Sequence, residues 1–151
     1  MDRREFLLGT LTLGAFGLAG CAPAGPGVVT IVAQGTAGMN PGPDGADRPL
    51  TLQIVQMRSA GAFDGADFFA LQSPQGALGG EFIKADQVTL TPGAAKTLSI
   101  GLDAATTVIG VIAGFRDPAG KVFRAKANVS ATESVTFSVE VTRTGVTLRA
   151  A

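Results

Sequence analysis

The 151-residue sequence predicts an all-β domain, a two-sheet β-sandwich with a small helical insertion. Three observations carry the all-β expectation. Val135, Phe137, Val139 and Val141 alternate with Thr136, Ser138, Glu140 and Thr142, the period-2 pattern of a strand with one face in a core and one in water. Turn signals recur between runs of this kind, at Pro92-Gly93, Asp117-Pro118-Ala119-Gly120 and Thr144-Gly145. About eight short strands with close turns make a sandwich or a barrel, and of the two we prefer the sandwich.

Taken in order, strands are expected at 28–34 and 50–58. Residues 59–71 then break the rhythm, because Phe63, Ala66, Phe69 and Ala70 fall at helical spacing, with Ser59 read as the N-cap. Glycines weaken that helix, so it must lean on the sandwich, and Phe63, Phe68 and Phe69 are read as core. Another helical turn is expected at 76–80. Val88 and Leu90, then Leu98, Ile100 and Leu102, resume the alternation. Strands at 107–116 and 121–127 flank the Asp-Pro-Ala-Gly turn and form a hairpin. The last strand is placed at 146–149.

The first twenty residues read as an export signal rather than as part of the fold. A short basic head precedes an uncharged stretch from Phe6 to Gly20. Fifteen residues as a helix reach only about 22 Å, short of the roughly 30 Å hydrocarbon core, which argues against a membrane span. Arg3 and Arg4, followed by Glu5, Phe6 and Leu7, resemble the twin-arginine pattern R-R-x-F-L, with general secretion as the alternative route. Leu18-Ala19-Gly20-Cys21 resembles the bacterial lipobox, in which the cysteine thiol forms a thioether with diacylglycerol. The segment after it, Ala22-Pro23-Ala24-Gly25-Pro26-Gly27, has no core pattern and reads as a tether. The expected organisation is therefore a signal peptide over 1–20, a lipidated tether over 21–27 and a β-sandwich over 28–151. Bacterial lipoproteins of this type carry several acyl chains, enough for permanent attachment. Ala22 stands where Asp would retain a lipoprotein at the inner membrane, so the outer membrane is the expected destination.

Composition removes whole classes of function. Lys+Arg and Asp+Glu are 12 each, so the chain lacks the basic excess of a nucleic-acid binder. There is no His and a single Cys, which excludes a His/Cys zinc site and any imidazole base. No catalytic residue, metal or dissociable cofactor is expected, the only added group being the covalent lipid on Cys21.

The fifteen-residue connection over 35–49 is the most informative interruption. Connections in compact domains usually run about 4–6 residues, and long ordered ones are often functional. Pro41, Pro43 and Pro49 stiffen this one, which lowers the entropy lost when a partner orders it. A prearranged loop of this kind suits protein recognition.

A lipobox, a strand, the Met39-Asn40-Pro41…Arg48-Pro49 loop, Gln56-Met57-Arg58, Ala66-Asp67-Phe68-Phe69-Ala70-Leu71 and Gly114-Phe115-Arg116-Asp117 follow one another in this sequence. In that order they resemble the outer-membrane lipoprotein of the type VI secretion system, the TssJ (VasD, SciN) family, over nearly all of the chain after Cys21. The resemblance implies a transthyretin-like sandwich with a helical addition, acting as the outer-membrane anchor of a trans-envelope complex. It also implies that the loop between the first two strands binds the periplasmic C-terminal domain of the inner-membrane protein TssM. Carried onto this chain, the contact falls on 38–48, with Met39 as apolar anchor and Asn40, Pro41, Asp44, Asp47 and Arg48 around it. Phe123-Arg124 departs from the Trp-Arg that many members carry there, a conservative core change.

Three other classes compete with this reading. Asp44 with Asp47, or Asp64 with Asp67, offers paired carboxylates, but short-range Asp pairs in loops are mostly turn formers. Asn40, Asp44 and Asp47 lack the spacing and the bidentate Glu of an EF-hand calcium loop. The stronger alternative is a lipid-anchored periplasmic module that binds a small ligand or glycan between its sheets.

Overall fold

Among the described residues, alternating and continuous apolar runs fold into eight strands. The computed structural model describes residues 25–151; Arg3, Arg4, Phe6, Leu7 and Cys21 lie outside them. The strands are β1 (Val28–Gly35), β2 (Leu50–Met57), β3 (Phe82–Leu90), β4 (Ala95–Gly101), β5 (Val108–Ala113), β6 (Arg124–Asn128), β7 (Val135–Thr142) and β8 (Gly145–Ala150). They form two four-stranded sheets, ordered β4-β1-β7-β8 and β3-β2-β5-β6. All neighbours are antiparallel except β1 and β7, which run parallel. The expected sandwich is therefore the observed one, and β5 and β6 pair as expected around the Asp117–Gly120 turn.

Between the sheets, Ile31, Leu52, Ile54, Val111, Phe137 and Val139 belong to one buried cluster. Strand β5, Val-Ile-Gly-Val-Ile-Ala, is buried on both faces, as an unbroken apolar run requires. Its outer face meets a second cluster of Val55, Met57, Phe63, Leu71, Leu78 and Ile112 beneath the helical insertion. Phe63 lies directly over Gly110, where an added β-carbon would come within 2.8 Å of the ring. The strand needs glycine there for the helix to sit down on it.

Over 59–71 the insertion differs from the expected single helix, while the helical turn expected at 76–80 is present. It divides into α1 (Gly61–Gly65), α2 (Phe68–Leu71) and α3 (Pro74–Leu78), followed by a 3-10 turn over Gly79–Glu81. The break falls at Ala66, which is extended at φ −78° and ψ 148°. Arg124 holds it open by donating to the Phe63 carbonyl at 2.8 Å and to that of Ala66. Ser59 is not the cap: Ala60 occupies that position, and the carboxylate of Glu81 accepts the Ala62 N–H at 2.8 Å instead. Asp67 caps α2 through the Ala70 N–H at 2.7 Å. Of the three phenylalanines read as core, Phe63 is buried and Phe68 is half-buried against Phe123, with ring centroids 5.4 Å apart. Phe69, however, is 78% exposed. A four-residue helix has too narrow a buried face to hide two adjacent rings.

β1 sets the long axis of the molecule. At its start, Gly27 donates to the Ala131 carbonyl at 2.7 Å and accepts from Leu102 at 2.9 Å. At its end, Gly35 is clamped to the β3–β4 turn, donating to the Ala94 carbonyl at 3.1 Å and accepting from Gly93 at 2.9 Å. Eight strand residues separate the two ends by about 26 Å. Gly27 and the loop that follows β1 therefore lie at opposite ends of the sandwich.

Candidate functional site

The connection between β1 and β2 is ordered by its own polar groups. Thr36 donates its N–H to the Val141 carbonyl at 2.9 Å, tying the loop's first residue to β7. The chain then doubles back as a miniature hairpin. Pro41 bridges Asp47, Gly42 donates to the Ala46 carbonyl at 2.7 Å, and Arg48 donates to the Asn40 carbonyl at 2.9 Å. A long loop stiffened in this way meets a partner with little ordering left to do.

Asp47 is the knot of the hairpin. Its Oδ2 accepts the Gly38 N–H at 2.6 Å, and its Oδ1 accepts those of Asn40 at 2.8 Å and Arg48 at 3.2 Å. Burial pushes its pKa up, but the backbone donors led by Asn40 and Gly38 outweigh burial and hold it below the ordinary 3.8. Asn40 extends the same framework: its side chain donates to the Pro49 carbonyl at 3.1 Å and accepts the Arg116 N–H at 2.9 Å.

The structure divides the six loop residues singled out in the sequence into two groups. Met39 is fully buried, so it cannot serve as the exposed apolar anchor expected of it. Its sulfur lies against Gly35, within 2.5 Å of where a β-carbon would stand, and its side chain joins the intersheet core. Asn40 is 4% exposed and works as an internal brace, while Pro41 and Asp47 are half-buried in the hairpin. Only Asp44 and Arg48 stand in solvent, joined by an ion pair of 3.1 Å. The surface offered outward is thus Pro43, that ion pair, Gly45, Ala46 and Pro49.

An open cleft of about 450 Å³ lies beside this surface, walled by Asn40, Pro43, Arg48, Thr51, Thr89 and Arg116. Arg116 was not among the expected site residues. The Gly114-Phe115-Arg116-Asp117 run is a visible signal for it, but nothing local says that its arginine faces the first loop. That follows from β5 pairing with β2 and from Asn40 gripping the Arg116 N–H.

Both oxygens of Asp47 and the Oδ1 of Asn40 are taken by backbone N–H groups, which leaves the triad with Asp44 unable to wrap a cation. Among the described residues no cluster of three His, Cys, Asp or Glu side chains is placed to hold a metal. The space between the sheets, where a small-ligand site was considered, is filled by Ile31, Leu52, Ile54 and Phe137. No described helix is long and apolar enough to cross a membrane.

The fold and the site define a two-sheet β-sandwich that offers one stiffened loop and an adjoining open cleft. The family described as "Type VI secretion lipoprotein, VasD, EvfM, TssJ, VC_A0113" matches residues 28–144, and the chain belongs to that family. Among solved structures it is similar to the type VI secretion lipoprotein TssJ1 of Pseudomonas aeruginosa, with 27% identity and a TM-score of 0.77 over 83% of this chain and 97% of that one. It is also similar to Serratia marcescens Lip, described as a membrane-bound component of the same system, with 24% identity and a TM-score of 0.75 over 83% and 98%. A third similarity is to a chain in a structure described as the TssM C-terminal domain from EAEC, with 24% identity and a TM-score of 0.66 over 82% and 97%. No curated protein matches the chain.

Proposed function

We propose that this type VI secretion lipoprotein is the outer-membrane mooring of the system's trans-envelope complex, a structural component rather than an enzyme. A diacylglyceryl thioether on Cys21 holds one end of the domain at the periplasmic face of the outer membrane. The exposed part of the 36–49 loop grips the periplasmic C-terminal domain of a TssM-like inner-membrane protein.

The observation that supports this reading is that Gly27 and the 36–49 loop lie at opposite ends of β1, with the loop locked by Asp47 and Asn40. A domain hung from a membrane at one end presents the other end to the space beyond. Several copies acting together let individually moderate contacts resist force.

Two measurements on the full-length chain test the reading. Cys21→Ser is expected to release the protein from the membrane fraction and to remove the lipid mass. Crosslinking in intact envelopes followed by pull-down is expected to recover a TssM-like protein, and Asp44→Lys to reduce that recovery while the protein remains folded. Recovery of a soluble ligand in place of an inner-membrane protein would reject the reading.

A further inference from the structure

We propose that the outer face of the second sheet carries a peptide groove continuous with the loop cleft. It takes an extended segment of the same partner, with a carboxylate of that segment directed toward Arg48 and Arg116. The inference rests on the proposed function and adds a second binding surface to it.

β2 and β3 pair Thr51 with Thr89 and Gln53 with Gln87, so these four side chains form two successive rungs on one face. The first rung lines the loop cleft, and the second lines a neighbouring cleft of about 380 Å³ bounded by Gln72, Pro74, Gln75 and Phe82. Gln72 spans the boundary, since its side-chain oxygen lies 3.6 Å from where a β-carbon on Gly114 would stand, and Gly114 lines the first cleft. The two clefts are therefore parts of one trough between the 36–49 loop and the helical insertion.

The chemistry of the trough points to an amide ligand. Gln53 is 5% exposed, yet its amide is poorly bonded. It donates to the carbonyls of Leu71 at 3.5 Å and Gln72 at 3.4 Å, and it accepts from Gln87 at 3.5 Å. Good N–H···O bonds cluster near 2.9–3.0 Å, so these three bonds are stretched and weak, and a ligand amide can take their place at little cost. A peptide backbone supplies both complements in each residue. Successive rungs on a sheet face are about 6.8 Å apart, the distance between equivalent groups in an extended chain, so the Thr and Gln rungs match such a ligand in register. The middle of the trough carries no charge, while Arg48 and Arg116 stand at its loop end.

The test uses the full-length protein and the partner's periplasmic domain. In Gln53→Leu the under-bonded amide becomes apolar at nearly constant volume, so the melting temperature is expected to hold or rise while affinity falls about tenfold. Lost binding without lost stability is an outcome that a purely structural role for Gln53 does not produce. Should Gln53→Leu melt early, Gln87→Ala at its exposed neighbour carries the same test. A photocrosslinker at Gln75 is expected to capture one extended, acid-bearing segment of the partner, and a control at Thr147 on the other sheet to capture none. Unchanged affinity in both glutamine variants, with Asp44→Lys still weakening binding, would overturn the groove and leave the loop reading standing. Failure of the unaltered protein to bind the domain would overturn both, and capture of a glycan at Gln75 would overturn the peptide assignment.

Discussion

The side chain of Asn40 accepts the backbone N–H of Arg116 at 2.9 Å, joining the first loop to the end of β5 across 76 residues of sequence. The same amide donates to the Pro49 carbonyl, so one buried residue fixes both the exit of the loop and the wall of the adjoining cleft. The shape of the loop and of the cleft therefore depends on a side chain that is itself almost wholly buried.

Asn40→Ala is expected to leave the Arg116 N–H and the Pro49 carbonyl without partners, at a cost of about 2 kcal/mol. Thermal unfolding should show a drop on the order of 8 °C. Affinity for the partner should fall as well, because a loosened loop must be ordered again on binding. Isothermal calorimetry is expected to show a more unfavourable binding entropy than for the unaltered protein.

Asp47 makes the loop acid-sensitive. Its pKa is lowered in the folded state because, although burial opposes ionisation, the backbone N–H groups of Asn40, Gly38, Arg48 and Met39 favour it more strongly. A carboxylate with a depressed folded pKa contributes its stabilisation above the unfolded value of 3.8 and loses it as pH falls from there through the folded value. Asp47→Asn turns an amide donor toward a backbone donor and should cost about 1–2 kcal/mol at neutral pH. Urea melts of both proteins are expected to begin converging as pH falls below 3.8 and to meet only once the native carboxylate, whose pKa lies lower still, is protonated as well. A constant difference down to acid pH would remove the charge from the explanation.

Met39 separates what sequence pattern reveals from what only tertiary placement does. In a proline-rich loop an isolated Met resembles an exposed anchor, yet it plugs the open end of the sandwich beside Gly35. Met39→Ala is expected to cost about 2–4 kcal/mol, with any loss of binding following the loss of folded protein. Met39→Asp, which an anchor role would tolerate, should prevent folding. Equal stability of Met39→Ala and the unaltered domain in denaturant titrations would contradict the core placement.

The same contrast runs through the chain. Strand β7 was legible because half-burial writes a period of two into Val135 through Thr142, and β5 because burial on both faces writes a continuous apolar run. The helical insertion was legible in outline only. Its caps come from afar: Glu81 satisfies the start of α1, and Arg124 on β6 holds the break at Ala66, so neither Ser59 nor the local spacing could place its ends. At the site, the loop's length and prolines marked where to look. The division into outward-facing Asp44 and Arg48 and inward-facing Met39 and Asn40 depended on contacts with β5 and β7 that no short window contains.

Gln56 offers a final case, a polar residue in a motif that the sequence flagged without explaining. It is fully buried on β2, yet each of its polar atoms is matched. The amide donates to the Gly101 carbonyl at 3.0 Å, and the side-chain oxygen accepts from the Asp103 N–H at 2.8 Å and the Thr106 hydroxyl at 2.7 Å. Gly101 ends β4, and Asp103 and Thr106 lie in the connection that follows, so Gln56 stitches the second sheet to the end of the first at which β1 begins. Gln56→Met keeps the volume but orphans three groups, one of them a buried hydroxyl, and should cost about 2–4 kcal/mol. The loss should be local in character: hydrogen exchange is expected to accelerate at Asp103 and Thr106 while the Asp47 hairpin, at the far end of β1, keeps its protection. Partner affinity should accordingly survive in the folded fraction, which separates this variant from Asn40→Ala. Equal acceleration at both ends would mean that the two ends of the sandwich open together, and that the loop's rigidity is not its own.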